Sequence, residues 1–192
     1  MTPDAISAAC WEALDAVLRG EAQVPGAEEA IERFSSRELA LASMGRSPDG
    51  PLPQAGTAAR TLYRSRARQI QRARGRGQQV RGTTPASRKR LLEAARGVVG
   101  KEAARSLSRR GAEMAIEGTI RVSQAEKRVR MPARGRVAIP GNLMRPAVTA
   151  WRRGESELAG WITSTSFFIV YWAGDPEPLN DAQEVTAQMW TR

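Results

Sequence analysis

Histidine is absent from all 192 residues, and cysteine occurs once, at Cys10. Without histidine the commonest general base is missing, and neither a Ser–His nor a Cys–His nucleophile can be assembled. A lone cysteine forms no internal disulfide and, with no companion ligands, no zinc site, so no metal is expected and a reducing cytosol fits. Long hydrophobic runs are missing too: the apolar stretch Trp161 to Trp172 is too short to cross a bilayer and carries hydroxyls from Thr163 to Ser166. The opening Met1-Thr2-Pro3-Asp4 lacks the basic and apolar regions of a signal peptide. Gly75-x-Gly77 precedes no strand-to-helix phosphate loop, so nucleotide binding by that route is not expected. Together these absences point to a soluble cytoplasmic protein, not an enzyme, with no cofactor and no membrane.

Negative charge is scarce where positive charge is dense. The chain carries 30 basic against 20 acidic side chains, a formal net charge of +10. Residues 57–136 hold 22 of the basic and only five of the acidic ones, while residues 1–56 hold four basic and nine acidic. The whole surplus therefore sits in one block between mildly acidic ends, which is the electrostatic footprint of an anionic partner. Nearly all of it is arginine, whose planar fork pairs with phosphate and with guanine edges as lysine's point charge does not.

The apolar periodicity predicts a helix from Ala5 to Leu18 and a second from about Ala27 to Met44 with a break near Ser35. Three prolines make Arg46 to Gly56 a loop. Thr57 reads as the N-cap of a helix reaching about Arg74, with Ala59, Leu62, Tyr63 and Ile70 as its buried stripe. Thr84-Pro85 opens a long helix to about Arg110. Alternation from Met114 to Val122 predicts a half-buried strand, and Val129/Met131 with Val137/Ile139 read as short strands forming a hairpin near Ala133 to Gly135. Asn142 to Arg153 reads as a helix. Glu155 to Trp172 fits a helical stripe better than a strand, and Val185 to Met189 alternates as a closing strand. The expected fold is thus α+β and mainly α: an acidic helical part (1–56), a basic helical region (57–112) and a small α+β domain (113–192).

Within the basic region Arg60, Arg64, Arg68, Arg72 and Arg76 recur every four residues and line one side of a helix. Like charges so spaced repel by a few tenths of a kcal/mol per pair, so the row favours the fold only when something anionic lies along it. A helix ending near Gly45, a turn and the helix from Thr57 resemble a helix-turn-helix with an enlarged turn, and residues 83–96 resemble the helix that follows the recognition helix in LacI-type repressors. In that layout Arg60, Thr61 and Arg64 face bases, while Arg68 and Arg72 meet phosphates. Arg74, Arg76, Arg81 and Arg88 extend the surface, and Arg72 to Arg81 would lie in a minor groove or along a single strand. The bland alternatives are a solvated arginine face and a basic linker, and the same residues could read RNA. Trp151, Trp161, Trp172 and Trp190 read as core or interface residues, not as a base-stacking platform.

The order of parts, from Thr57–Arg76 and Arg88–Arg110 through Glu117-Gly118-Thr119-Ile120-Arg121-Val122 to Ile139-Pro140 and on to Tyr171, resembles the telomere terminal proteins of linear Streptomyces-type chromosomes and plasmids. The resemblance implies a DNA-binding protein primer of the bacterial nucleoid, in which a hydroxyl takes the first nucleotide and a DNA polymerase extends from it at the telomere. It implies Thr119 as acceptor, Ser123 as second choice, and Arg121 as a holder of incoming phosphates. Its partners would be double-stranded or telomeric single-stranded DNA, a DNA polymerase and a telomere-associated protein. Read from the residues alone, Thr119 is an ordinary solvent-facing strand residue. The competing reading is a sequence-specific helix-turn-helix regulator or replicon-maintenance factor that dimerises through its C-terminal part.

Overall fold

The computed structural model describes residues 5–21, 27–78, 84–122, 125–172 and 183–192, with side chains omitted at 119–122, 125–129, 172 and 183. The fold is α+β and mainly α: α1 (Ala5–Leu18), α2 (Ala27–Arg33), α3 (Ser36–Ser43), α4 (Ala58–Gly75), α5 (Pro85–Arg109), β1 (Ala112–Val122), β2 (Ala125–Met131), β3 (Val137–Ile139), α6 (Gly141–Arg152), α7 (Ser156–Trp172) and β4 (Gln183–Thr191). Packing groups these into two units, Pro25–Gly100 and Met1–Val24 with Lys101–Arg192. The divisions therefore differ from those drawn at 56 and 112 from charge and composition. Charge describes the surface, whereas a unit is defined by which apolar faces meet. The acidic first helix shares a core with the C-terminal sheet and not with its sequence neighbours.

In the Pro25–Gly100 unit, Ala30, Phe34, Leu39, Ala40, Ala42, Ile70, Leu91, Ala95 and Val99 form the core of α2, α3, α4 and the first part of α5. The break between α2 and α3 falls at Ser35, which caps α3 reciprocally: the Glu38 amide donates to Ser35 Oγ at 3.2 Å, and the Ser35 amide donates to Glu38 Oε2 at 2.6 Å. Phe34 and Leu39 flank this capping box, and both are buried in the same cluster, which fixes the angle at which the chain enters α3. Ser35→Ala is expected to lower stability by about 1 kcal/mol. A chemical-denaturation midpoint identical to that of the parent protein would show that the cap adds nothing. Thr84 opens α5 in the same way, its hydroxyl accepting from the Ser87 amide at 3.2 Å, with Pro85 in the first turn.

The other unit packs α1, α6, α7 and the end of α5 against the sheet around Leu14, Leu107, Met114, Ile116, Ile139, Met144, Val148 and Phe167. β1 is the central strand. Glu113 pairs with Ala138 of β3 and with Trp190 of β4, while Ile116 pairs with Met131 of β2 and Ala187 of β4. β2 and β3 thus follow each other along one edge of β1, and β4 takes the other edge. The hairpin expected between Val129/Met131 and Val137/Ile139 is not formed. Both segments run antiparallel to β1, so they cannot be antiparallel to each other, and Ala133 to Gly135 bridges them without reversing the chain. Alternation within each segment is visible in sequence, but which strand it pairs with is not.

Two places in this unit admit only glycine. Where α5 meets β1, Gly111 has φ +96°, and a Cβ there would overlap the Ile139 carbonyl oxygen and sit 2.8 Å from the Pro140 carbonyl carbon. Gly141, at the start of α6, lies reciprocally against the Arg109 carbonyl. Between α1 and α7, Gly160 lies against the Ser7 backbone, and the Ser7 and Ser164 hydroxyls hydrogen-bond at 3.2 Å. Trp151 of α6 reaches α1 by donating from Nε1 to Asp15 Oδ1 at 2.8 Å.

Candidate nucleic-acid interface

An α-helix advances 100° per residue, so the 18 residues of α4 cover every direction, and only Ile70 is fully buried. Tyr63 and Ala67 flank Ile70 as partly buried neighbours. Leu62, expected in the buried stripe, is 46% exposed. It sits one residue before Tyr63 and is therefore turned about 100° away, onto the open side of the helix.

Burying one isoleucine contributes about 1.5–3 kcal/mol. That is little to hold a helix of this length, and arginines at the border of the buried face add to it. Arg66 Nη1 donates to the Ser43 carbonyl at 2.9 Å, at the last residue of α3. Arg74 Nη2 donates to the Phe34 carbonyl and, at 3.5 Å, to the Glu32 carbonyl, at the end of α2. Both guanidinium groups satisfy carbonyls that a helix leaves orphaned at its C-terminus, where the helix dipole also favours a cation. Arg60 lies with its guanidinium carbon 5.4 Å from the Tyr63 ring centroid, and its Nε is buried without a partner among the described residues.

The arginines of α4 and its C-cap therefore fall into two sets. Arg60 of the expected row is engaged with the protein, as are Arg66 and Arg74, which lie off its four-residue spacing. Arg64, Arg68, Arg72 and Arg76 are exposed on the opposite side, and none of their side chains has an ion pair or hydrogen bond among the described residues. Thr61 shares this open side, with its hydroxyl 3.5 Å from the Thr57 carbonyl, and Ser65 and Gln69 lie there too. Arg88 on α5 is exposed and paired with Glu28 of α2 at 2.7 Å. At such exposure the pair contributes at most about 1 kcal/mol, and an anionic ligand can compete for the arginine. Arg81 and Ser123 lie outside the described residues.

The arginines of the sheet are placed differently. Arg136 stacks on Trp190, with its guanidinium carbon 3.6 Å from the ring centroid, and pairs with Glu113 at 3.2 Å. Arg130 pairs with Glu117 at 3.2 Å. These carboxylates offset the charge of Arg130 and Arg136, whereas among the described residues no ion pair is formed by Arg64, Arg68, Arg72 or Arg76. Thr119 and Arg121 belong to β1, their backbones opposite Arg128 and Glu126 of β2, and the ladder to β4 shifts register between Glu117 and Thr119.

Spacing alone placed the arginines on a side of a helix; the signal that could have separated them was the phase of the row relative to Tyr63 and Ile70. Between α3 and α4 the connector runs from Met44 to Thr57, longer than the three- or four-residue turn of a compact helix-turn-helix. No helix among the described residues is long and apolar enough to cross a membrane. Comparison with known proteins gives no match, whether to family models, to curated proteins or to solved structures.

Proposed function

We propose that this chain is a DNA-binding protein that contacts its ligand through the open side of α4. The observation that supports this is the row Arg64, Arg68, Arg72 and Arg76, exposed and unpaired among the described residues in the most basic part of the chain. Four like charges along one helical side oppose folding slightly and gain only from an external anion. Charge-reversing Arg64 and Arg68 together to Glu is expected to weaken binding to a DNA hairpin with a single-stranded overhang by roughly a hundredfold at low salt. The same change at Arg152 and Arg153 should cost only a few-fold. Equal losses, measured by fluorescence anisotropy on the full chain, would place the contact surface elsewhere.

In its finer form the proposal is a terminal protein that caps the ends of a linear replicon and primes their replication, with Thr119 or Ser123 accepting the first nucleotide and Arg121 beside it. The support for this is the resemblance in the order of parts, in which the basic helices precede the strand that carries Thr119. Its test is the intact mass of the protein purified from its own cells after exhaustive nuclease treatment. An increment of one or more nucleotides on a peptide containing Thr119 or Ser123 is expected, and an unmodified mass would leave a non-covalent binder.

The competing reading, a dimeric regulator or replicon-maintenance factor, draws on α7, where Leu158, Trp161, Ile169 and Val170 are exposed. A palindromic target site would favour it.

A further inference from the structure

The open arginines of α4 are four residues apart, so successive side chains are about 6 Å apart along the axis, and the row from Arg64 to Arg76 covers about 18 Å. Each step also turns the row by about 40°, so its two ends diverge by about 120° around the helix. Consecutive phosphates along one nucleic-acid strand lie roughly 6–7 Å apart, extended or stacked, even though the axial rise of a stacked duplex strand is only about 3.4 Å per nucleotide. The spacing therefore matches one arginine to each phosphate.

The winding decides between ligands. A duplex is stiff over so short a length, its persistence length being about 50 nm. A duplex laid backbone-on against α4 meets only the middle of the row, and a helix seated in the major groove turns the outer arginines toward two different strands, so neither places four successive phosphates of one strand along the row. A single strand bends freely and can follow all four arginines. The same side offers no aromatic ring for a base: Tyr63, the one aromatic of α4, is half-buried beside Arg60. Bases are left unread and the phosphates carry the contact. Arg66 and Arg74 hold the helix by its inner side and so fix the direction in which the row faces.

We propose that the open side of α4 is a track for one single-stranded sugar–phosphate backbone, with Arg64, Arg68, Arg72 and Arg76 meeting four successive phosphates. This rests on the reading of the chain as a DNA-binding protein and specifies which form of DNA it takes.

The test is a titration of the full chain with labelled single-stranded dT20 and with a 20-base-pair duplex between 50 and 300 mM salt. The single strand is expected to bind at least tenfold more tightly than the duplex at each salt concentration. Each phosphate contact on a single strand adds about 0.7 to the slope of log affinity against log salt. The variant R64Q/R68Q/R72Q/R76Q should therefore lower that slope by about 3. The charge-matched variant R134Q/R145Q/R152Q/R153Q should lower it by less than 1. All four track positions are exposed and Gln is a good helix former, so unchanged far-ultraviolet circular dichroism is expected in the first variant.

A U20 strand should bind within a few-fold of dT20, because only phosphates are contacted, and a tenfold preference for either sugar overturns a phosphate-only track. Tighter binding of the duplex, or an unchanged slope in the track variant, overturns the track and leaves DNA binding standing. Failure of both DNA ligands to bind at 50 mM salt defeats the functional reading itself.

Discussion

Replacing Gly111 with alanine is expected to destabilise the unit that contains the sheet by more than about 4 kcal/mol, beyond the range of most single substitutions. Two causes add. The φ of +96° disfavours any side chain, at a cost of about 1–2 kcal/mol. The added Cβ would also overlap the Ile139 carbonyl oxygen, and neither that oxygen nor the Pro140 carbonyl carbon belongs to a side chain that can swing away. Ile139 is the β3 partner of Ala112, so relief requires β3 and the start of α6 to move off β1. The amide of Gly111 also donates to the Ser106 and Leu107 carbonyls at 3.2 and 3.1 Å, closing α5. Gly154 supplies the control, because its φ is +76° but a Cβ there meets nothing within 4 Å. Gly154→Ala should lose only the conformational part. If thermal unfolding showed the two alanine variants losing the same stability, the close backbone approach at Gly111 would not be the cause.

Phe167→Ala should cost about 3–5 kcal/mol, the range for emptying a buried aromatic site. Phe167 is fully buried, packs edge-on against Phe168 with ring centroids 5.2 Å apart, and lies 5.6 Å from the Tyr171 ring. Truncation removes the transfer free energy of the ring and leaves a cavity in the core cluster, beside the Phe168 and Tyr171 rings of α7 itself. Phe167→Leu retains much of the volume and should cost well under half as much. Urea denaturation reads both. A Phe167→Ala loss below about 1 kcal/mol would mean that the site closes over and that α7 is not rigidly held.

Several of the local features were readable in the residues themselves. The break at Ser35 carries its own mark, a serine followed three residues later by glutamate, and Glu38 does complete the capping box. Thr57 caps α4 as the hydroxyl ahead of an apolar period predicts, and Thr84-Pro85 opens α5. Glu155 to Trp172, which admitted helix or strand, is helical from Ser156. The helical period was the better guide than the strand-forming residues of Phe167 to Tyr171, although Leu158, Trp161 and Ile169 of the expected stripe are exposed and Ala159, Thr163 and Phe167 are buried instead. Leu62 misled because its hydrophobicity suggested an inner position that its phase relative to Tyr63 and Ile70 does not allow. The placing of β2 and β3 on one edge of β1 was hidden, since alternation gives a strand its faces but not its neighbour.

What the sequence by itself determined about this protein is what acts within a turn or two of chain: the caps, the helical and alternating periods, the breaks at proline and glycine, and the position of the arginine block. Tertiary structure alone decided which arginines remain available. Arg66 is engaged by a carbonyl 23 residues away and Arg74 by one 40 residues away, while Arg64, Arg68, Arg72 and Arg76 find no such partner among the described residues. All of these side chains are chemically identical, and their phase relative to Tyr63 and Ile70 gives the side of α4 each occupies but not the acceptor it meets. The difference arises because a guanidinium group is satisfied by whatever acceptor the packed chain brings within about 3 Å, and those acceptors come from distant segments that only the folded core holds in place.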